Sequence, residues 1–72
     1  MQNKIKTGKY RHYKGNLYQV EAVATHSETE EAMVVYRPLY GEQALWVRPL
    51  SLFIDEVEIA GVKRPRFDFI DA

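Results

Sequence analysis

The run Ala32-Met33-Val34-Val35-Tyr36 is the stretch that most limits what this chain can fold into. It is too short for a helix, and its β-branched and aromatic side chains suit the pleated, half-buried surface of a strand. An acidic, hydroxyl-rich loop, His26 to Glu31, leads into it. Ser27 and Glu30 have the spacing of a helix capping box. The residues after them are β-rich, so their segment reads instead as a hairpin loop whose hydroxyls bond to nearby backbone. Tyr40-Gly41-Glu42-Gln43 then turns the chain into a short strand, Leu45 to Arg48, stopped by Pro49.

The flanking segments fit the same pattern. Lys9 to Tyr13 reads as a first strand and Lys14-Gly15-Asn16 as a turn. From Leu17 to Thr25 the residues alternate, which puts Tyr18, Val20, Ala22 and Ala24 on one face, the expected core face. Leu52, Phe53 and Val57 fit one short helical turn. Ala60 to Pro65 reads as a turn-bearing connection and Arg66 to Ile70 as a closing strand with Phe67 and Phe69 inward. The predicted fold is therefore all-β in the main: a five-stranded, SH3-like partial barrel with one short helical turn before the last strand, which is how so small a β chain hides its edges. Residues 1–8 are expected to be a flexible N-terminal arm and residues 9–72 a single domain. The expected core is Tyr18, Val20, Ala22, Val34, Tyr36, Trp46, Phe53 and Phe67.

With 72 residues and no cysteine, disulfides and thiolate metal sites are ruled out, and the five Tyr, three Phe and one Trp must supply the packing. No apolar stretch approaches the roughly 20 residues of a membrane span, and the polar Met1 to Gly8 is unlike a signal peptide, so the expectation is a soluble cytoplasmic protein. Charge is balanced overall but unevenly laid out. Lys4, Lys6, Lys9, Arg11 and Lys14 precede any acid, the eight acids of residues 21–60 face only Arg37 and Arg48, and Lys63, Arg64 and Arg66 follow.

Catalytic patterns are weak. His26 and Ser27 are neighbours on an extended segment and point to opposite faces, so they make no nucleophile–base pair. His12 and His26 match no metal-ligand spacing, and the scattered glycines form no phosphate loop. No metal, cofactor or catalytic residue is expected; an enzyme would need a group that no motif supplies. The aromatic and arginine set carries more weight. His26, Glu28, Tyr36, Tyr40, Trp46 and Arg48 are candidate ligand-binding residues, because aromatics offer apolar area with a polar handle and arginine a planar fork for carboxylate or phosphate. The plainer alternative makes Tyr36 and Trp46 core and pairs Arg48 with Glu28. A second functional reading uses Lys9, Tyr10, Arg11, His12 and Lys14, basic residues interleaved with aromatics as in single-stranded nucleic-acid binders. The sequence pI near 6.7 disfavours it.

Gly8-Lys9-Tyr10, His12-Tyr13-Lys14-Gly15, His26-Ser27-Glu28-Thr29, Val35-Tyr36, Leu39-Tyr40-Gly41 and Trp46-Val47-Arg48-Pro49 with Phe53 resemble the family of small bacterial proteins of unknown function numbered 1653. The likeness spans about residues 8 to 69. It implies a small stand-alone domain, sometimes an appendage, and brings no activity or catalytic residue with it. The favoured function is a non-catalytic binding or accessory module for a peptide or other small polar ligand, with nucleic-acid binding as the alternative. A homodimer and a monomer are equally compatible with the small core and short edge strand.

Overall fold

The computed structural model describes residues 5–72. Seven strands and one helical turn follow in order: β1 (Gly8–His12), β2 (Leu17–Thr25), β3 (Ala32–Pro38), β4 (Trp46–Pro49), α1 (Leu50–Phe53), β5 (Glu56–Ile59), β6 (Val62–Pro65) and β7 (Phe67–Asp71). Five of them form one antiparallel sheet in the order β4-β3-β2-β1-β7, and β5 pairs with β6 in a separate hairpin. The mainly-β fold and the short helical turn are as predicted. The sheet does not close into a barrel, and the connection expected over residues 60–65 contains a hairpin. Its turn, Ala60-Gly61, holds both residues at positive φ, 53° and 80°, as a two-residue type I′ turn requires. Of the expected arm, residues 1–4 lie outside the described residues, Ile5 packs against the core, and Gly8 opens β1.

The core lies on one face of the main sheet, under α1. Val20, Val34 and Phe53 are essentially sealed from solvent, and Tyr10, Tyr18, Tyr36, Leu50 and Phe67 are buried around them. Phe53, carried in by the single helical turn, stacks flat on Phe67 with ring centres 4.1 Å apart. Tyr10 and Tyr36 meet Phe53 edge-on at 5.5 and 5.4 Å. Edge-to-face and offset stacks place the positive ring edge against the negative face of a neighbour, so this packing is directional as well as apolar.

Two expected core residues lie elsewhere. Ala22 is exposed because β2 carries a bulge: Val20 pairs with Tyr36 but Ala22 pairs with Val35, leaving Glu21 without a partner on β3. One inserted residue inverts every later face. Beyond the bulge Val23, opposite the buried Val34, lies on the core side of the sheet but stays 38% exposed, while Ala22 and Ala24 turn outward. Trp46 is 43% exposed: it sits opposite Tyr36 on the core side of β4, but β4 is an edge strand and nothing roofs it. Tyr10 and Leu50 take their places in the core. Phe69 is more exposed than predicted, with Tyr10 against one side and the Lys6 ammonium 4.8 Å from its ring centre.

The second hairpin is tied to the sheet through Arg66. Its backbone N–H donates to the Asp55 carbonyl at 3.1 Å, its carbonyl accepts from the Tyr13 N–H at 2.9 Å, and its Nε donates to the Asp55 carboxylate at 2.6 Å. The guanidinium holds the Asp55 carboxyl below the usual carboxylate range. Apart from the half-buried Val57, the residues of β5 and β6 are exposed. That hairpin contributes to a radius of gyration of 12.5 Å, against about 11 Å expected for a compact chain of this length.

Candidate ligand-binding site

Tyr18 is the hub of an aromatic cluster on the core face, whose outer rings Trp46 and Tyr40 border a surface concavity. His12, Tyr36, Tyr40, Trp46 and Phe67 all have ring centres between 5.6 and 6.2 Å from its own. Strand register produces this gathering. Tyr10 opposes Tyr18 across β1 and β2, so His12, two residues on, shares their face; His12 also opposes Phe67 on β7. On the other side Tyr36 opposes Trp46. Tyr40 comes from the loop after β3, and its hydroxyl lies 3.1 Å from that of Tyr18. Trp46 and Tyr40, about half exposed, flank a surface groove of about 250 Å³ that Pro38 and the loop residues Gly41 to Ala44 complete.

Burial of Tyr18 and its contact with the Tyr40 hydroxyl push its phenol up to about 12, so it stays a neutral hydrogen-bonding group at ordinary pH. His12 is held below its ordinary value, first by burial and then by the positive charges of Arg66, Lys14 and Arg48. Its Nδ1 accepts the Lys14 backbone N–H at 3.1 Å, which puts the proton of the neutral ring on Nε2.

Arg48 opposes the sealed Val34, so its stem lies on the core side of β4. Its Nε donates a long 3.4 Å hydrogen bond to the Tyr36 hydroxyl, and its guanidinium carbon is 5.8 Å from the Phe67 ring centre. The expected ion pair with Glu28 is absent among the described residues: the carboxylate-bound arginines are Arg37, with Glu21, and Arg66, with Asp55. The geometry explains why. The loop between β2 and β3 closes on itself, with His26 Nδ1 accepting the Glu28 and Thr29 backbone N–H groups and Thr29 Oγ1 accepting that of Glu31. Glu28 is exposed in that loop, past the end of β3, whereas Arg48 pairs within it.

Of the six ligand-binding candidates, Tyr36, Tyr40, Trp46 and Arg48 thus meet around Tyr18, and His26 and Glu28 lie together in the loop after β2. The sequence marks Tyr18 and Phe67 only as core, and His12 only as part of the basic strand. Alternation shows which way Tyr18 points; the pairing of β1 with β7, which brings His12 and Phe67 to it, has no local sequence signal.

The pleat divides the basic first strand. Tyr10 is buried, and Lys9 and Arg11 point to the other face, where Arg11 opposes Asp68 on β7 and Lys9 opposes Asp71. Lys14 is exposed in the turn after β1. Among the described residues no three His, Asp or Glu side chains gather in a way that could hold a metal ion, and no helix is long and apolar enough to cross a membrane.

Known proteins resemble most of this chain. A crystal structure of a DUF1653 protein from Bordetella bronchiseptica is similar to it, with a TM-score of 0.83 and 34% sequence identity over 92% of this chain and 87% of that one. Among curated proteins none matches. The family described as protein of unknown function (DUF1653) matches residues 8–69. The chain belongs to that family.

Proposed function

We propose that this chain is a small, non-catalytic binding module that holds a peptide or small polar ligand in the aromatic concavity around Tyr18. One observation carries the reading: half-exposed Trp46 and Tyr40 rings stand over a buried tyrosine beside an arginine with no carboxylate partner among the described residues. Exposed aromatics next to fixed hydrogen-bonding groups are how small sites bind and orient ligands. An SH3-like kinship is part of the proposal. It is supported by a meander of four strands whose first strand also pairs with the last, and by a helical turn ahead of that last strand; what such folds bind is analogy. Less supports nucleic-acid binding, since Tyr10 is buried and the outward Lys9 and Arg11 have acids across from them. Self-association as a homodimer also stays a proposal. It is supported by the edge strand β4 with Val47 exposed, and light scattering at micromolar concentration tests it.

The test is a two-dimensional amide NMR titration against mixed short peptides and small polar acids, with a random single-stranded oligonucleotide as comparison. The expected shifts cluster at Tyr18, Tyr40, Trp46 (with its indole N–H) and Arg48. Shifts confined to Lys9, Arg11 and Lys14, seen with the oligonucleotide alone and abolished by salt, would overturn the reading in favour of nucleic acid.

A further inference from the structure

The charges around the concavity narrow what it takes. Arg37 and Arg66 each donate to a carboxylate, at 3.0 and 2.6 Å. Arg48, half-buried on the core side, has only a long bond to a neutral hydroxyl and an aromatic face beneath it. The Nε is used, and the two terminal nitrogens of its fork have no acceptor among the described residues. The same Phe67 ring meets His12 edge-on, with centres 4.9 Å apart, and the neutral His12 ring carries its proton on Nε2. A partly desolvated guanidinium gains most from a charged, planar acceptor, and a carboxylate matches its fork in two parallel bonds.

Resting on the binding role proposed for the concavity, we propose that it takes a carboxylate joined to a planar apolar group, the carboxylate on the Arg48 fork with His12 Nε2–H alongside, the planar group against Trp46 and Tyr40. Carboxylate is favoured over phosphate by what surrounds the fork. α1 is one turn long and opens at Pro49, and Glu42 lines the Trp46 groove, a poor neighbour for a dianion. Lys14 and Arg66 add positive potential at His12 that favours any anion there.

Trp46 is the chain's one tryptophan, so its fluorescence reads the site directly. The experiment titrates the full chain at fixed ionic strength and pH 7.5 with phenylacetate, phenylacetamide and phenyl phosphate, and repeats this with Arg48→Met and Arg48→Lys. Circular dichroism establishes that each variant is folded. Phenylacetate is expected to quench saturably and to bind about tenfold or more tightly than the isosteric amide, as charge-assisted bonds exceed neutral ones. That advantage should vanish in Arg48→Met and survive in part in Arg48→Lys. Equal binding of acid and amide would overturn the carboxylate assignment and leave the binding surface standing. Tighter binding of phenyl phosphate would overturn it in favour of a phosphate. A Trp46 signal that no probe moves would overturn both the assignment and the binding role it rests on.

Discussion

Glu21, the unpaired residue of the β2 bulge, accepts a 3.0 Å hydrogen bond from Arg37 Nε, and the same guanidinium donates through a terminal nitrogen to the Gln43 carbonyl at 3.4 Å. The bulge is thereby joined to the loop that carries Tyr40. Both side chains are over a third exposed (35% and 39%). The pair is therefore screened, and Glu21→Ala is expected to cost under about 1 kcal/mol of stability. Its larger effect should be on order in the loop: faster amide exchange from Tyr40 to Ala44, measured by hydrogen exchange, with β1 and β7 unchanged. Uniformly faster exchange across the sheet would show that the pair holds the fold rather than the loop.

That bulge also marks where the sequence stops being readable. Alternation from Leu17 places Tyr18 and Val20 correctly, and nothing in the residues Glu-Ala-Val-Ala announces an inserted position, so the same pattern extends falsely to Ala22 and Ala24. The strand run of residues 32–36, the turn at Gly15 and the inward Phe53 and Phe67 are legible because they depend on local chemistry. The β5–β6 hairpin is not: a turn is legible within Ala60 to Pro65, but Ala60, a poor residue for a positive φ, hides that this turn joins two paired strands. Within the site, Tyr36, Tyr40, Trp46 and Arg48 can be grouped from a single hairpin. His12 and Phe67 join only through β1–β7 pairing, which spans nearly the whole chain. The pairing of Arg48 with Glu28 fails for a related reason: the Glu28 backbone is held in its own loop beyond β3, whereas Arg48 lies within the sheet against Tyr36 and Phe67.

Gly8 is the glycine least able to change. Its φ is 138°, and a Cβ built there would lie 2.5 Å from the Asp71 carbonyl oxygen and 2.8 Å from the Ala72 Cα. Close approach of β7 thus requires glycine at the start of β1. Gly8→Ala combines a disfavoured dihedral with backbone overlap and is expected to cost on the order of 2 kcal/mol or more, read as a lower denaturant midpoint. Gly15→Ala, with φ 105° but open space around the site, should cost less.

Ala60 invites the opposite change. It holds φ 53° at the first central position of the hairpin turn, where asparagine is tolerated much better. Ala60→Asn is expected to stabilise the β5–β6 hairpin by about 0.5 kcal/mol, seen as slower amide exchange at Val62 with little change in the melting of the main sheet.

Arg48→Met should leave stability nearly intact. With no carboxylate partner among the described residues, its loss strands no buried charge, and the methionine stem replaces most of the apolar contact with Phe67. The expected change is within about 1 kcal/mol, whereas loss of a buried ion pair would cost about 3 kcal/mol or more. A chemical denaturation curve distinguishes the two. A large loss would mean that the arginine's contacts with Tyr36 and Phe67 hold β4 in place, and would weigh against a ligand-binding role.

Tyr18 predicts how the fold responds to alkali. Burial, aided by the Tyr40 hydroxyl, raises its phenol from 10.0 to about 12, and burial also raises Tyr10. Between those two values the unfolded chain has released the Tyr18 proton while the native state still holds it. The unfolded state therefore binds fewer protons there, and stability falls as pH rises. The contribution of Tyr18 is fully present below about pH 10 and is lost toward pH 12, with a total on the order of 2 kcal/mol. His12 acts at the other end: burial and the Arg66, Lys14 and Arg48 charges lower it, so its contribution is present above about pH 6.5 and is lost as acid protonates the unfolded chain first. Tyr18→Phe tests the alkaline half. It removes the ionising group and leaves behind the half-exposed Tyr40 hydroxyl, which water can satisfy. Melting temperatures measured from pH 8 to 11.5 should fall less steeply for the variant than for the parent chain, with a residual slope from Tyr10. Parallel curves would show that the Tyr18 phenol titrates in the folded protein much as it does in water.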